Sequence, residues 1–483
     1  MPELGSIGLL RFAWRQLTSM RTALILLMLL GVAAIPGSLI PQRTQDPMAV
    51  TAYFKSSPGV AKWLDQLSLF DVYGSPWFSA IYILLFISLI GCVLPRTVEH
   101  FHAARALPPA TPKNLNRMEF YNSWPAIGGE LDAARTWFAK NHFRVIEKDG
   151  SISAEKGYSR ETGNLFFHLA LILILLGISL SSLFGMRGEA ILNVGERFVN
   201  TPTSYDSLAY GKLFKDGKLP NFIIKVDKFD AQYNVETNAP EDYTLNITLY
   251  QGDLTKGEKR VIKVNSPLTI GNTKIYLQAN GYSPVVTVRD SKGNVGLQGP
   301  IPFLPQDANL RSIGAIKVPD ADPQVGFVGS FVPTYARSEG NGAISVFPQA
   351  LDPRLLLSAW SGDLGLDSGT PQSVYRIDTS AMKQIGLKSL KPGESFNYPG
   401  GSLTFEGYVQ WVNLQIVEDS GKNYALLGAI VSILGLLASL FTRRRRIWIR
   451  VGKDVEVAGL AKNAAPGLEE ELVEFMHVVK GEK

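Results

Sequence analysis

The chain has 483 residues, of which 46% are hydrophobic and 19% are charged. This composition excludes an intrinsically disordered chain, which needs low hydrophobicity, and a coiled coil, which needs sustained heptads rich in charge. The net charge of +5 and the pI near 9.0 come from Lys and Arg beside apolar stretches, so they indicate membrane topology and contact with membrane lipid, and they are no evidence for nucleic-acid binding.

Four uncharged stretches are each long enough to cross a bilayer as a helix, which takes roughly 20 apolar residues. They cover residues 22–42, 72–95, 162–186 and 423–442. The first could also be a cleaved signal peptide, because Arg residues precede it and it contains a Val-Ala-Ala segment. Its apolar run exceeds the roughly 7 to 15 residues of a signal-peptide core, and three more stretches follow. The sequence therefore predicts a multi-pass membrane protein with four transmembrane α-helices.

The distribution of Lys and Arg predicts the orientation, because basic residues near membrane ends stay on the cytoplasmic side. Residues 1–21 hold three Arg against one acid, residues 96–161 hold ten basic against eight acidic residues, and five Arg follow the last stretch. Residues 187–422 are balanced, with 23 basic and 24 acidic residues. We therefore expect a plasma-membrane protein with both termini in the cytoplasm. The predicted order is a cytoplasmic N-terminus at 1–21, transmembrane helix 1 at 22–42, an external loop at 43–71, transmembrane helix 2 at 72–95, a cytoplasmic module at 96–161, transmembrane helix 3 at 162–186, an extracytoplasmic domain at 187–422, transmembrane helix 4 at 423–442 and a cytoplasmic tail at 443–483.

The extracytoplasmic segment shows the pattern of β-strands. Apolar residues alternate with Thr and Asn across residues 244–249, and a similar alternation returns at residues 403–406, as in half-buried strands. Residues 290–293 separate two apolar runs and predict a hairpin. Pro and Gly interrupt the segment at short intervals, and no long helical pattern stands out. We predict a large all-β domain, sandwich or barrel-like.

The cytoplasmic segments predict a small α+β module followed by a helical tail. Residues 130–142 place four apolar side chains on one helical face, and residues 143–157 have the pattern of a short hairpin. Residues 466–480 begin with Pro and three acidic residues, as helices do. We predict this last segment to be an exposed amphipathic helix at a solvated chain end, with docking to a partner as the less favoured alternative.

The usual catalytic motifs are missing from the sequence. It has no Walker loop, no G-x-S-x-G, no H-E-x-x-H and no dinucleotide fingerprint between a strand and a helix. Its one cysteine, Cys92, lies in the second apolar stretch, so there is no C-x-x-C pair for dithiol exchange. We therefore predict no catalytic residue and no metal site, and we expect Cys92 to be a small buried apolar side chain.

The five histidines are unevenly distributed. None lies in residues 187–422, so the large domain has no histidine to offer to a haem or a metal, and its sulfur candidates are Met186 and Met382. His100 and His102 follow the second apolar stretch, where water and lipid headgroups can solvate them. A histidine ligand for haem or a metal is therefore to be sought in the apolar stretches.

His168 lies alone in the third apolar stretch, near its predicted cytoplasmic end. Polar side chains inside a membrane are costly and often face a cavity or a partner. A neutral imidazole can also be satisfied by a neighbour on its own helix or by headgroup water, so the residues alone leave both roles open. The adjacent aromatic pair Phe166 and Phe167 is typical of a membrane interface.

Five segments carry a family resemblance. Residues 67–96, LSLFDVYGSPWFSAIYILLFISLIGCVLPR, closely resemble the second span of ResB-type proteins of system II cytochrome c biogenesis. Residues 361–375 have the character of actinobacterial members. The other segments similar to the family, in the same order, are GSLIPQ at 37–42, RETGNLFFHLALILILLG at 160–177, VNSPLTIGNTKIYLQANGY at 264–282, and SLTFEGYVQWVNLQI followed by a span and RRRRIWIRV.

The resemblance implies a subunit of the membrane complex that moves haem outward and joins it to apocytochrome c. It implies a ResC/CcsA-type membrane partner, which holds haem outside through its own histidines, and a thioredoxin-like thiol reductase. In this setting His168 is the candidate ligand for haem iron on the cytoplasmic side, and haem is a transient cargo. The chain itself is expected to be an accessory subunit that guides haem and holds apocytochrome c along a sheet edge.

A second class of function stays open at this point. The chain could be a membrane-anchored sensor or ligand-binding protein whose β domain binds an external solute. No kinase, cyclase or DNA-binding motif in the sequence supports that alternative.

Overall fold

The computed structural model describes residues 5–43, 45, 47–157, 159–215, 219–253, 255–338, 342–366, 373–461 and 467–482. Parts of the segments 361–375 and 466–480, which the sequence analysis singled out, lie outside these described residues. The chain divides into two compact units, Met1–Ser179 with Gly421–Lys483, and Leu180–Ser420. The first unit holds most of the helices, and the second is built mainly of strands.

Four long apolar helices are present, as predicted. Each has between 20 and 30 residues and is apolar enough to cross a bilayer. Ser19 and Ser75 begin the first two, because each side-chain oxygen accepts a hydrogen bond from the backbone three residues on. The helices are α2 (Met20–Leu39), α5 (Pro76–Arg105), α7 (Ser159–Phe184) and α8 (Lys422–Phe441), with the shorter α1 (Ser6–Leu17), α3 (Pro47–Ser56) and α4 (Pro58–Gln66) in the same half of the chain as α2 and α5.

Helices α7 and α8 pack backbone against backbone. A Cβ built on Gly435 of α8 would lie 2.7 Å from both the Gly163 carbonyl oxygen and the Phe167 backbone nitrogen of α7. A Cβ built on Gly428 would lie 2.7 Å from a side-chain carbon of Ile174. Small residues allow helices to approach this closely within a membrane. The interface therefore has no room for a larger side chain at these glycines.

The segment GSLIPQ at residues 37–42 contains the last turn of α2 and the residues that follow it. Gln42 is buried, and its side-chain nitrogen donates to the Leu69 carbonyl at 3.0 Å while its side-chain oxygen accepts from the Val72 backbone nitrogen at 2.9 Å. A Cβ on Gly37 would lie 2.8 Å from the Tyr73 ring. The segment therefore ties the end of α2 to the residues that lead into α5.

A five-stranded antiparallel sheet combines two distant parts of the chain. Its strands are β1 (Phe120–Pro125), β2 (Arg144–Lys148), β3 (Ser151–Lys156), β22 (Arg445–Val451) and β23 (Asp454–Ala461). Their order is β1-β23-β22-β3-β2, so β22 pairs with β3 and Arg446 lies opposite Glu155. The β2–β3 hairpin was predicted, whereas the two strands that the tail contributes to the same sheet were not.

Two helices, α6 (Glu130–Lys140) and α9 (Leu468–Lys480), complete the core of this α+β module. Phe138 of α6 stacks on Phe475 of α9 with ring centroids 4.8 Å apart. The Trp137 indole nitrogen donates to Glu474 at 3.3 Å. Helix α6 was predicted, and its apolar face is buried. The prediction of an exposed tail helix is wrong, because the apolar side of α9 is buried in the module core.

The second unit confirms a large all-β domain. Its longest strands, β11 and β21, have 18 residues each. The strands are β4 (Met186–Asn193), β5 (Arg197–Val199), β6 (Ser207–Tyr210), β7 (Phe222–Tyr233), β8 (Pro240–Gln251), β9 (Gly257–Lys263), β10 (Leu268–Ile270), β11 (Thr273–Asp290), β12 (Val295–Pro300), β13 (Leu304–Pro305), β14 (Ser312–Val318), β15 (Val325–Val332), β16 (Tyr335–Ser338), β17 (Gly342–Ser345), β18 (Arg354–Ser361), β19 (Lys383–Leu390), β20 (Ser395–Tyr398) and β21 (Gly401–Glu418). Both predicted strands, at 244–249 and 403–406, and the hairpin at 290–293 are present.

Strands β11 and β21 are shared by two hydrophobic cores. They pair along their length, and Ile275 and Ile416 near one end belong to a core that includes the four-stranded sheet β5-β7-β8-β9. Val286 and Phe405 near the other end belong to a core that includes the five-stranded sheet β13-β14-β15-β18-β19. The domain therefore consists of two lobes that have a pair of strands in common.

Trp411 fixes the middle of this shared pair. Its indole nitrogen donates to the carbonyl oxygens of Tyr282 at 3.2 Å and Phe303 at 3.1 Å. A Cβ on Gly281 would lie 2.5 Å from the nearest atom of the indole ring, so only glycine fits below it. The family-like segments 264–282 and 402–416 meet at this contact, which gives both a structural role.

Candidate functional site

His168 lies on α7 and is half-buried. Its Nδ1 is 2.7 Å from the Asn164 carbonyl oxygen, one turn earlier on the same helix. A carbonyl oxygen can only accept a hydrogen bond, so Nδ1 carries a hydrogen, and in the neutral ring the lone pair is then on Nε2. Histidines that bind metals commonly donate their other ring N–H to a carbonyl or carboxylate in this way. The ring is thus held in the tautomer that an iron ligand needs.

Contacts between α7 and α5 show which side of α7 carries His168. Glu161, Leu175 and Ser179 lie seven residues before, seven after and eleven after it, on one helical stripe. The Tyr82 hydroxyl of α5 donates to the Leu175 carbonyl at 2.7 Å and lies 3.2 Å from the Ser179 hydroxyl. At the other end of the stripe, the Nδ1 of His100 on α5 is 4.0 Å from a Glu161 carboxylate oxygen. His168 therefore lies on the side of α7 turned toward α5, between two contacts.

The depth of His168 follows from helix geometry. It is seven residues from Glu161, which corresponds to about 10 Å along the helix axis. Phe167 packs edge-on against its ring, with centroids 5.2 Å apart, and Phe166 is exposed on the surface of the first unit. His168 therefore lies about two helical turns from the charged end of α7, within the apolar part of the helix.

The charged end of α7 belongs to an ion cluster. Glu155 on β3 is 1% exposed and contacts Arg444, and Arg446 donates to it at 3.0 Å. Arg444 also donates to Glu161 at 2.8 Å. Burial raises the pKa of Glu155, but the two Arg residues outweigh it and hold the pKa below its ordinary value. The cluster joins the α+β module to the end of α7.

His100 is part of the same region, and its predicted solvation is wrong. Its Nε2 lies 2.9 Å from the Thr162 hydroxyl of α7, and its side chain is only 14% exposed. His102, in contrast, is exposed as predicted. The sequence signal for the cluster was the run of Arg after α8, which by itself indicated only orientation. The paired acids could not be identified without knowing that β22 lies beside β3.

The sulfur candidates of the β domain are inaccessible. Met186 is buried in the core beside β6, and Met382 is buried near Gly362. Cys92, on α5, is partly rather than fully buried. Within the described ranges, no group of three or more His, Cys, Asp or Glu is placed to hold a metal ion. His168 therefore remains the candidate ligand that the sequence predicted.

Comparisons with known proteins agree along the whole chain. The family model for the ResB-like family matches residues 20–473. The cytochrome c biogenesis protein CcsB of Thermosynechococcus vestitus is 24% identical over 465 residues, which covers 95% of this chain and 93% of that protein. The cytochrome c biogenesis protein Ccs1 of Rhodomonas salina is 22% identical over 477 residues and covers 95% of each. All four apolar helices and the β domain fall within the matched residues, and the chain therefore belongs to the ResB-like family.

Proposed function

We propose that the chain is a cytochrome c biogenesis protein of the system II type, a subunit that carries haem across the membrane and supports its attachment to apocytochrome c. The observation that carries this proposal is the full-length match to relatives named for cytochrome c biogenesis. The alternative of a solute sensor is not favoured, since neither the relatives' names nor any motif points to signalling. No catalytic group is assigned to this chain, which acts as an accessory subunit.

Haem is a cargo that His168 holds on the cytoplasmic side. The lone pair on Nε2 and the fixed hydrogen on Nδ1 support this role, because neutral imidazole is a strong ligand for haem iron. The surroundings of His168 on α7 are apolar, which suits the porphyrin ring. The chemistry that haem brings is the reactivity of its two vinyl groups; the chain contributes a ligand and a dry environment.

The orientation in the plasma membrane places both termini in the cytoplasm and the β domain outside. The shared sheet supports this arrangement, because β1–β3 and β22–β23 must lie on one side, and two spans, α7 and α8, separate them in the chain. The excess of Lys and Arg in these same segments favours the cytoplasm. The domain at 187–422 then lies on the side where cytochromes c are assembled.

The partners are a ResC/CcsA-type membrane protein, apocytochrome c and a thioredoxin-like thiol reductase. With no histidine in residues 187–422 and with Met186 and Met382 buried, outer iron ligands have to come from the membrane partner. The lack of a C-x-x-C pair assigns reduction of the client cysteines to another protein.

Apocytochrome c binds along an open sheet edge. Strand β19 is the last strand of its sheet and pairs only with β18 among the described strands. It has eight residues, and Leu387 at its middle is 76% exposed. The other long edge, β9, carries three consecutive charged residues, Glu258, Lys259 and Arg260, and charged edges discourage strand addition. Strand β19 carries two separated charges, Lys383 and Lys388. An extended client can therefore add to β19 and be recognised mainly through its backbone.

Deletion of the gene tests the proposed function. We expect all covalently haem-stained membrane cytochromes to be lost, because vinyl attachment requires the complex, while b-type haem spectra stay normal. Complementation with the full chain should restore the staining. Normal haem staining in a clean deletion strain would contradict the proposed function.

Reporter fusions test the orientation. A reporter that is active only in the cytoplasm should work within residues 105–160 and after Glu482, and should be inactive at Ser291. Activity at Ser291, on the β11–β12 turn, would place the β domain in the cytoplasm and overturn the proposed topology.

A further inference from the structure

A cavity of about 430 Å³ lies where α8 ends and the chain leaves β3. Gly157 makes this arrangement possible, because its φ of +95° turns the chain and a Cβ there would lie 2.7 Å from the Arg443 carbonyl carbon. The residues that line the cavity are Lys156, Gly157, Leu440, Phe441, Thr442, Arg443 and Arg445.

The polar side of the cavity is strongly basic. Lys156, Arg443 and Arg445 supply three cationic side chains, of which Arg445 is already paired with Glu471, and none of the seven lining residues is acidic. Two of these side chains have further contacts that fix their positions. Arg445 donates to Glu471 at 2.5 Å, and the Lys156 ammonium lies 5.4 Å from the centre of the Phe143 ring. An anion with several oxygens can contact such a set of donors.

The other side of the cavity is apolar. Leu440 is 66% and Phe441 is 81% exposed, and they are the last two residues of an apolar membrane helix. At the end of a span these side chains face acyl chains, while the cations beside them lie at the level of the headgroups. The matching ligand therefore carries an anionic group next to a long apolar chain.

We infer that this cavity binds an anionic phospholipid, with its phosphate between Lys156, Arg443 and Arg445 and an acyl chain along Leu440 and Phe441. Haem fits less well, although its propionates are also anions. Gly163 faces α8, and His168 follows it by five residues, or about 140° around α7. A haem bound at His168 therefore lies on the side of α7 turned toward α5, away from the cavity.

The test measures lipid binding by the full-length chain, purified in detergent and stripped of lipid. The probes are phosphatidylglycerol, phosphatidylcholine, inorganic phosphate and ferric haem, and the readout is the dissociation constant from native mass spectrometry. We expect phosphatidylglycerol to bind best. The variant Lys156→Gln with Arg443→Gln should bind it about ten-fold more weakly, because each basic residue adds to the attraction for an anionic headgroup.

Two controls separate the site from general charge. Lys113→Gln with Lys453→Gln removes the same charge from exposed positions of the module outside the cavity lining and should bind like the unchanged chain. Lys156→Arg with Arg443→Lys keeps the charge and should also retain binding. If the double Gln variant does not fold, Arg443→Gln alone makes the same comparison, because this side chain is exposed.

Three results would overturn the inference. Equal affinity for phosphatidylcholine would show that charge is not recognised. Equal affinity for inorganic phosphate would show an anion site that does not need a lipid. Displacement of phosphatidylglycerol by haem, lost in the double Gln variant, would assign the cavity to haem propionates.

Discussion

The two sides of α7 differ in what they do. The side toward α8 includes the small residues Gly163 and Ala170, and Gly163 approaches the backbone of Gly435 with no space between. The side toward α5 carries polar groups, and it includes His168 and the contacts of Tyr82 with Ser179. The first side fixes the position of the helix, whereas the second carries His168, the proposed haem ligand. Substitutions on the side toward α8 should therefore lower the amount of protein, whereas substitution of His168 on the other side should lower the amount of bound haem.

The largest expected effect is on the tight side. Gly435→Leu introduces a side chain where a Cβ alone would lie 2.7 Å from two backbone atoms of α7. Overpacking of this kind costs roughly 1–3 kcal/mol or more, so we expect most of the protein to disappear from the membrane fraction. Abundance of a fluorescent fusion, measured by size-exclusion chromatography, checks this.

Gly31→Leu is the matched control for this substitution. Gly31 lies on α2, also within a span, and a Cβ there has no atom within 4 Å. Abundance of this variant should equal that of the unchanged chain. Equal abundance of Gly435→Leu would mean that the α7–α8 contact does not hold the helices together.

The second largest effect on stability is expected at the ion cluster beside the start of α7. Glu155→Gln removes the buried partner of Arg444 and Arg446, which should cost roughly 3 kcal/mol of folding free energy. The control Glu147→Gln breaks an exposed pair with Arg135 and should cost under about 1 kcal/mol. Thermal unfolding of the purified chains measures both.

The same substitution has a pH signature. The pKa of Glu155 is below its ordinary value of 4.5 in the folded chain, so its contribution is complete above that pH and is lost as the pH falls through the lower folded-state value. The stability difference between the unchanged chain and Glu155→Gln should therefore narrow below pH 4.5. A constant difference would mean that charge is not what Glu155 contributes.

The smallest effect on the amount of protein is expected at His168. His168→Ala removes a hydrogen bond within its own helix, so abundance should stay nearly normal, while the ratio of haem to protein in the purified complex falls and cytochrome c yield drops. Exogenous imidazole should restore part of both, because it can occupy the vacated space and supply the nitrogen ligand.

His102→Ala is the control for His168→Ala, since His102 is exposed on α5 and should leave the haem ratio unchanged. An unchanged ratio in His168→Ala, with no response to imidazole, would leave His168 with a packing role only. That outcome would remove the chemical difference between the two sides of α7.

The sequence predicted elements whose signal is local. The four spans, helix α6, the β2–β3 hairpin and the hairpin at 290–293 depend on periodicity or turn residues within about twenty positions. It also gave His168 as a candidate ligand, because a histidine is unusual in an apolar stretch. Its tautomer and the side of α7 it occupies required the structure.

Other features depend on distant residues and were not predictable in this way. The apolar face of α9 is complementary to α6, more than 300 residues earlier, so the tail alone gave no sign that it was covered. Gly163 and Gly435 can be recognised as a packing contact only once α7 and α8 are known to lie against each other. Likewise, nothing in the local sequence shows that Glu155 is opposite Arg446.

The composite sheet has a consequence for biosynthesis. Strands β1–β3 leave the ribosome early, yet their pairing strands β22 and β23 and the covering helix α9 are translated only after the entire β domain. Until then Trp137, Phe138 and Ile152 lack part of the core that buries them. The module thus stays unfinished, and open to proteases or chaperones, until α7 and α8 have both inserted in the right direction. Its completion marks a chain in which the segments before α7 and after α8 have come together in one sheet.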